Sequence, residues 1–120
     1  MRPNTVLLVD DDLTHLTLHS MLLKNAGFRP ITALVGSESV SFHENERPIL
    51  IFMDYRLNTS IGPIQAGRLL RHAFPGIPIV VLSSDDSMPA EMKCVADGFV
   101  RKGDPRDLIA AAERFRRSPA

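Results

Sequence analysis

The sequence has one cysteine, no tryptophan, a single tyrosine and no surplus of charge of either sign. Lone Cys94 excludes an internal disulfide, and with no cysteine or metal-spaced partner it points to a reducing cytosol. Nothing near it in sequence activates it as a nucleophile. The 14 basic and 14 acidic residues cancel, so no overall field draws the chain toward nucleic acid or a membrane surface. No apolar run approaches the roughly 20 residues that a helical membrane span requires. The opening MRPNTVLLVDDD turns acidic before a signal-peptide core forms. These absences predict a soluble, cytoplasmic protein with no membrane and no nucleic acid among its partners. Repeats and low-complexity tracts are also lacking; proline and glycine are scattered at element ends rather than gathered into a linker.

What is present is a chain of 120 residues, 44% of them hydrophobic, enough for one core without disulfides or metal clips. It is expected to form a single domain over residues 1–120, with 116–120 a frayed tail or the start of a linker. Short apolar runs alternate with longer amphipathic ones, the pattern of an α/β fold in which a parallel sheet is covered by helices on both faces. Thr5 to Val9, Pro30 to Leu34, Ile49 to Met53, Ile79 to Leu82 and Gly98 to Arg101 read as strands. Pro30 suits an edge strand, because it has no N–H to give to a ladder.

Leu13 to Ala26 reads as an amphipathic helix with Leu18, Leu22, Leu23, Ala26, His15 and His19 inward and Met21 outward, stopped by Gly27. A weak second helix is expected from Ser37 to about Asn45. A third runs from Pro63 to Phe74 with Leu69, Leu70 and Ala73 inward. Ser87 and Pro89 open a short fourth. Asp104-Pro105 starts a fifth, with Leu108, Ile109, Ala112 and Phe115 inward.

In an open parallel sheet, ligands bind outside the carboxyl ends of the strands. There the first strand offers Asp10, Asp11 and Asp12, the third Asp54, the fourth Ser83 and Ser84, and the fifth Lys102. Converging carboxylates repel unless protons or a cation intervene, and a hard divalent ion is the natural partner; Mg2+, which keeps waters and takes one or two carboxylates, fits better than Ca2+. Asp12 reads as a helix cap. A carboxylate directly after the uncharged ILIFM is rarely structural.

These residues resemble, across essentially the whole chain and in order, the receiver domains of two-component response regulators. Asp10 and Asp11 in VLLVDDD match the family's acidic pair, Asp54 in LIFMDYRL its phosphoacceptor, Ser83 in IVVLSS its Ser/Thr and Lys102 in GFVRKG its lysine. Phe99 falls on its aromatic switch position. The resemblance implies a flavodoxin-like three-layer sandwich with five parallel strands in the order 2-1-3-4-5. It also implies phosphotransfer to Asp54 from a phosphohistidine on a sensor histidine kinase or histidine phosphotransfer protein, or from a small acyl phosphate. Asp11, Asp54 and the backbone carbonyl of Arg56 would ligate Mg2+ directly, with Asp10 acting through water. Ser83 and Lys102 would bind phosphoryl oxygens, and Phe99 would turn inward to re-form the face of the fourth helix, fifth strand and fifth helix, through which a homodimer is expected. Beyond self-catalysed phosphotransfer and dephosphorylation, no enzyme activity is implied.

The sequence departs from the family pattern at Asn58, where a proline is usual, in a longer TSIGPIQAG loop, in a short fourth helix, and at Gly103, where proline commonly follows the lysine. Arg56 and Asp85 are expected to pair across the pocket mouth and slow hydrolytic water. His15 and His19, four apart on one helix, read as edge-of-core histidines rather than zinc ligands, since no third ligand is evident. Two other classes stay open. One is a pseudo-receiver that signals by protein contact without phosphorylation. The other is a free-standing hydrolase or cofactor binder, disfavoured by the lack of a spare general base and by an acidic turn where a phosphate cradle needs glycines.

Overall fold

The computed structural model describes residues 4–36, 40–41, 47–57 and 61–117. Branched and aliphatic residues build β1 (Thr5–Asp10), β2 (Arg29–Val35), β4 (Leu50–Asp54), β5 (Ile79–Ser83) and β6 (Gly98–Arg101), with β3 reduced to Val40–Ser41. The parallel strands lie in the order β2-β1-β4-β5-β6, and β3 adds antiparallel to the outer edge of β2. Counting only parallel strands, this is the expected order 2-1-3-4-5.

The element expected from Ser37 to about Asn45 is corrected where it is described: Val40 and Ser41 pair with Val35 and Leu34 as strand, not helix. A β-branched valine beside an open strand edge favours the extended ladder over a short helix turn. The other residues of that stretch lie outside the described ones. Pro30 sits on the part of β2 that β3 leaves uncovered, where a missing N–H interrupts no ladder.

Alternation along the strands splits the core in two. Leu7, Val9, Ile51, Met53, Ile79 and Val81 face one side, where they pack with Ala66, Leu70 and Phe74 of α2 (Pro63–Ala73 and its cap) and with Met92 and Val95. Val6, Leu8, Leu50, Phe52, Val80 and Leu82 face the other, against Leu16 and Leu23 of α1 (Leu13–Asn25) and Leu108, Ala111 and Ala112 of α3 (Pro105–Arg117). β4 and β5 are buried throughout, as their lack of polar alternation requires.

The helix faces need correction in detail. On α1 Leu23 is buried and Leu22 and Ala26 pack partly buried against the same core, as expected, but Leu16 is buried as well and Leu18 is 52% exposed. Met21 is outward, as expected. On α2 Leu70 is buried and Leu69 is 41% exposed. The short fourth helix is a five-residue 3-10 turn, Ala90–Cys94, held by buried Met92. Of the stretch expected as a tail, residues 116–117 belong to α3, and Arg116 donates to the Gly27 carbonyl at 3.0 Å while lying 4.4 Å over the Phe28 ring; residues 118–120 lie outside the described ones. Among the described residues no helix is long and apolar enough to cross a membrane.

Candidate functional site

Parallel registry sets the ends of β1, β4, β5 and β6 at one edge of the sheet. Asp54 stands level with Leu82, and Ser83 with Arg101. Two bonds continue the ladders past the strands: Tyr55 N donates to the Leu82 carbonyl at 2.9 Å and Lys102 N to the Ser83 carbonyl at 2.8 Å. The second fixes the base of the Lys102 side chain, whose Nζ donates to Asp54 Oδ1 at 2.7 Å. The same oxygen accepts from Arg56 N at 3.2 Å. Asp10, Asp54 and Ser83 are the buried polar residues of the described chain. Such burial at one strand edge is costly unless the groups are paired or serve a ligand.

Asp10 Oδ1 accepts from Asp12 N at 3.1 Å, and its Oδ2 stands 3.5 Å from His15 Nδ1. Burial, and next the facing Asp54 carboxylate, push the Asp10 carboxyl up to about 7. The two buried acids thus face one another, with Lys102 paired to Asp54, and their hard oxygen donors suit a divalent cation. Asp10, Asp54 and His15 each bring a ligand atom to within 4.8 Å of the others. Asp11, half-buried beside them, is outside that group and interacts with the Asp10 carboxyl.

Asp12 caps α1 as expected: its Oδ1 accepts from Thr14 N at 2.8 Å and from His15 N at 3.4 Å. Ser83 is bound away from Asp54, its Oγ donating to Asp85 Oδ2 at 3.3 Å and accepting from Asp85 N at 3.2 Å. Arg56 and Asp85 do meet at the mouth, at 3.8 Å and largely exposed. Phe99 is partly buried and belongs to neither apolar core. Gly103 takes a φ of 124°, a conformation that side chains rarely adopt. Asn58 lies outside the described residues, although Leu57 and Ile61 on either side are buried in the core under α2.

Two features escape the sequence reading. His15 is not an edge-of-core residue; it is 46% exposed and turned to Asp10, with its ring centroid 6.4 Å from that of His19. The available signal was its place in the first turn of a helix capped at the site. His19 is the more buried, and its burial and then the Lys102 charge lower its basicity. The Tyr55 hydroxyl, next to Asp54, donates to the Glu91 carboxylate of the 3-10 turn, a long-range contact without a sequence signature.

An open parallel sheet with buried carboxylates and a lysine at its carboxyl edge defines a flavodoxin-like α/β protein with an acidic pocket. The chain matches the response regulator receiver domain over residues 6–113. It is 28% identical over 114 residues to the transcriptional regulatory protein GlrR of Escherichia coli (strain K12), covering 92% of this chain and 26% of that one. To the alkaline phosphatase synthesis transcriptional regulatory protein PhoP of Bacillus subtilis (strain 168) it is 35% identical over 116 residues, covering 93% and 48%. The chain spans about a quarter to a half of the length of these curated relatives. Its fold is similar to that of Vibrio cholerae chemotaxis protein CheY4, with a TM-score of 0.79 at 24% identity over 94% of this chain and 98% of that one. The receiver domain of NtrX from Brucella abortus superposes with a TM-score of 0.75 at 21% identity, over 95% and 99%. The chain belongs to the response regulator receiver domain family of two-component systems.

Proposed function

We propose that Asp54 is the phosphoacceptor of a signalling switch. The observation that carries this reading is the Lys102–Asp54 contact of 2.7 Å at a buried strand end facing Asp10. A carboxylate oxygen of Asp54 attacks the phosphorus of a phosphohistidine on a sensor kinase or phosphotransfer protein. The O–P bond forms as the P–N bond breaks, and the imidazole leaves with its electron pair and takes up a proton. Positioning and charge neutralisation carry most of such a transfer.

Asp10 and Asp54 would hold the divalent cation, Mg2+ by the family expectation, together with Asp11 and the Arg56 carbonyl that the resemblance implies. When bound, that cation neutralises charge on the phosphoryl oxygens. Lys102 keeps an ammonium beside Asp54 and pairs with a phosphoryl oxygen after transfer. Ser83 exchanges its bond to Asp85 for one to the phosphoryl group. Phe99, not held by either core, then turns inward and reshapes the surface of the 3-10 turn, β6 and α3, the expected site of homodimer or output contacts. The protein is its own substrate, and the setting is the cytoplasm.

Intact mass after incubation with acetyl phosphate and Mg2+ tests this reading. The parent is expected to gain one phosphoryl mass, and Asp54→Asn or an EDTA-treated parent none. No gain, together with failure to bind beryllofluoride, would replace this reading with that of a protein-contact module that keeps the fold.

A further inference from the structure

The acidic pocket carries a nitrogen that a carboxylate site for Mg2+ does not need. His15 opens α1 one turn from the cap, and its Nδ1 stands 3.5 Å from Asp10 Oδ2. That separation is too long for a hydrogen bond, which spans about 2.7–3.2 Å. It suits two ligands of one ion, because bonds of about 2.0–2.2 Å in tetrahedral or octahedral geometry set neighbouring ligands about 3–3.6 Å apart.

The other contacts leave the right atoms for such an ion. Asp10 Oδ1 accepts from Asp12 N, and Asp54 Oδ1 from Lys102 Nζ and Arg56 N, and each carboxylate has a second oxygen besides. One ligand atom from each of Asp10, His15 and Asp54 lies within 4.8 Å of the others. The far ring nitrogen, Nε2, is 3.7 Å from Asp12 Oδ2, an ion-pair distance and not a hydrogen bond, so the ring lies between the carboxylates of Asp10 and Asp12.

We propose that His15 is a nitrogen donor to the Asp10–Asp54 pocket, and that it tilts the site's preference from Mg2+ toward first-row transition ions such as Ni2+. Imidazole favours these ions, whereas Mg2+ is served by oxygen donors. The inference rests on the reading of the pocket as a divalent-cation site and adds its selectivity.

Calorimetric titration of the tag-free chain with Mg2+ and with Ni2+ tests it, on the parent, His15→Gln, His19→Gln and Asp54→Asn, each checked by circular dichroism for folding. In the parent the ratio of Ni2+ to Mg2+ affinity is expected to exceed that of His15→Gln about tenfold, the scale of a lost metal-site contact. His19→Gln should keep the parent ratio. The same ratio in folded His15→Gln as in the parent, with both ions bound, would overturn the nitrogen donor and leave the phosphoacceptor reading intact. Binding of neither ion by the parent, or binding that Asp54→Asn leaves unweakened, would overturn the cation site and this inference with it.

Discussion

At the scale of single residues, the site is defined by charge that the fold buries without fully balancing. The Asp10 carboxyl ordinarily loses its proton near 3.8 and in the folded chain holds it to about 7, chiefly because of burial and then the neighbouring Asp54. Between those values the folded chain binds a proton that the unfolded chain has released, so stability falls as pH rises from about 4 to 7 and levels off above. In metal-free buffer, Asp10→Asn is therefore expected to match the parent near pH 4 and to exceed it by roughly 2–4 kcal/mol at pH 8. Urea unfolding at both pH values checks this, and a difference that does not change with pH would contradict it. Arg56→Ala should leave stability within about 1 kcal/mol, since its contact with Asp85 is largely exposed. It is expected to shorten the phosphoryl lifetime by opening the pocket mouth to water, measured as decay of the phosphorylated mass. Asp10, Asp54, Ser83 and Lys102 were legible in the sequence because each ends, or directly follows, a strand with an obvious apolar pattern. His15 was not, because its direction depends on how the first turn of α1 is rotated relative to the end of β1. Helical periodicity, blurred by Leu13, Leu16 and Leu18 in one short stretch, left that rotation open.

At the scale of elements, the strands followed from patterning and their order from the family resemblance, while the helix contacts depended on spacings that only packing sets. Gly67 is a case in point. Midway along α2, a glycine is ordinarily about 1 kcal/mol worse than alanine. Here a Cβ would meet Val95 Cγ2 at 3.0 Å and Val95 Cβ at 3.1 Å, so α2 lies close against the chain that follows the 3-10 turn. The sequence offered no signal for this close approach, which joins α2 to a residue 28 positions further along the chain. Arg71 closes the same corner. Its guanidinium donates to Asp97 Oδ2 at 2.6 Å and to the Val95 carbonyl at 3.0 Å, and Asp97 Oδ2 also accepts from Ile79 N at 2.9 Å. Gly67→Val adds bulk where Val95 and Met53 already sit, and is expected to destabilise by about 1–3 kcal/mol. Thermal unfolding of the variant, with Gly62→Val as a control where a Cβ would meet nothing within 4 Å, measures it. A loss at Gly67 no larger than that at Gly62 would count against the approach of Val95 as its cause.

At the scale of the whole molecule, the two apolar cores are opposite faces of the same strands and cannot come apart separately. Neighbours in β4 make the point: Phe52 points into the core under α1 and α3, Met53 into the core under α2, and both are fully buried. Losing β4 from the sheet would strip both faces at once, so unfolding should be a single cooperative transition. The composition supplies a convenient reporter, since there is no tryptophan and the lone tyrosine, Tyr55, sits beside Asp54 on the α2 side. Its fluorescence follows the site, while far-ultraviolet circular dichroism follows the helices on both faces. In urea the two signals are expected to give the same midpoint. Phe52→Ala removes a ring from the face away from Tyr55 and should cost about 3–5 kcal/mol. Because one sheet carries both cores, that variant should lower the tyrosine midpoint and the dichroism midpoint together. A tyrosine transition that stays at the parent value while the dichroism midpoint falls would mean that the α2 face and its half of the site persist without the other layer. The sheet would then transmit less between its faces than a switch working through β6 and α3 requires.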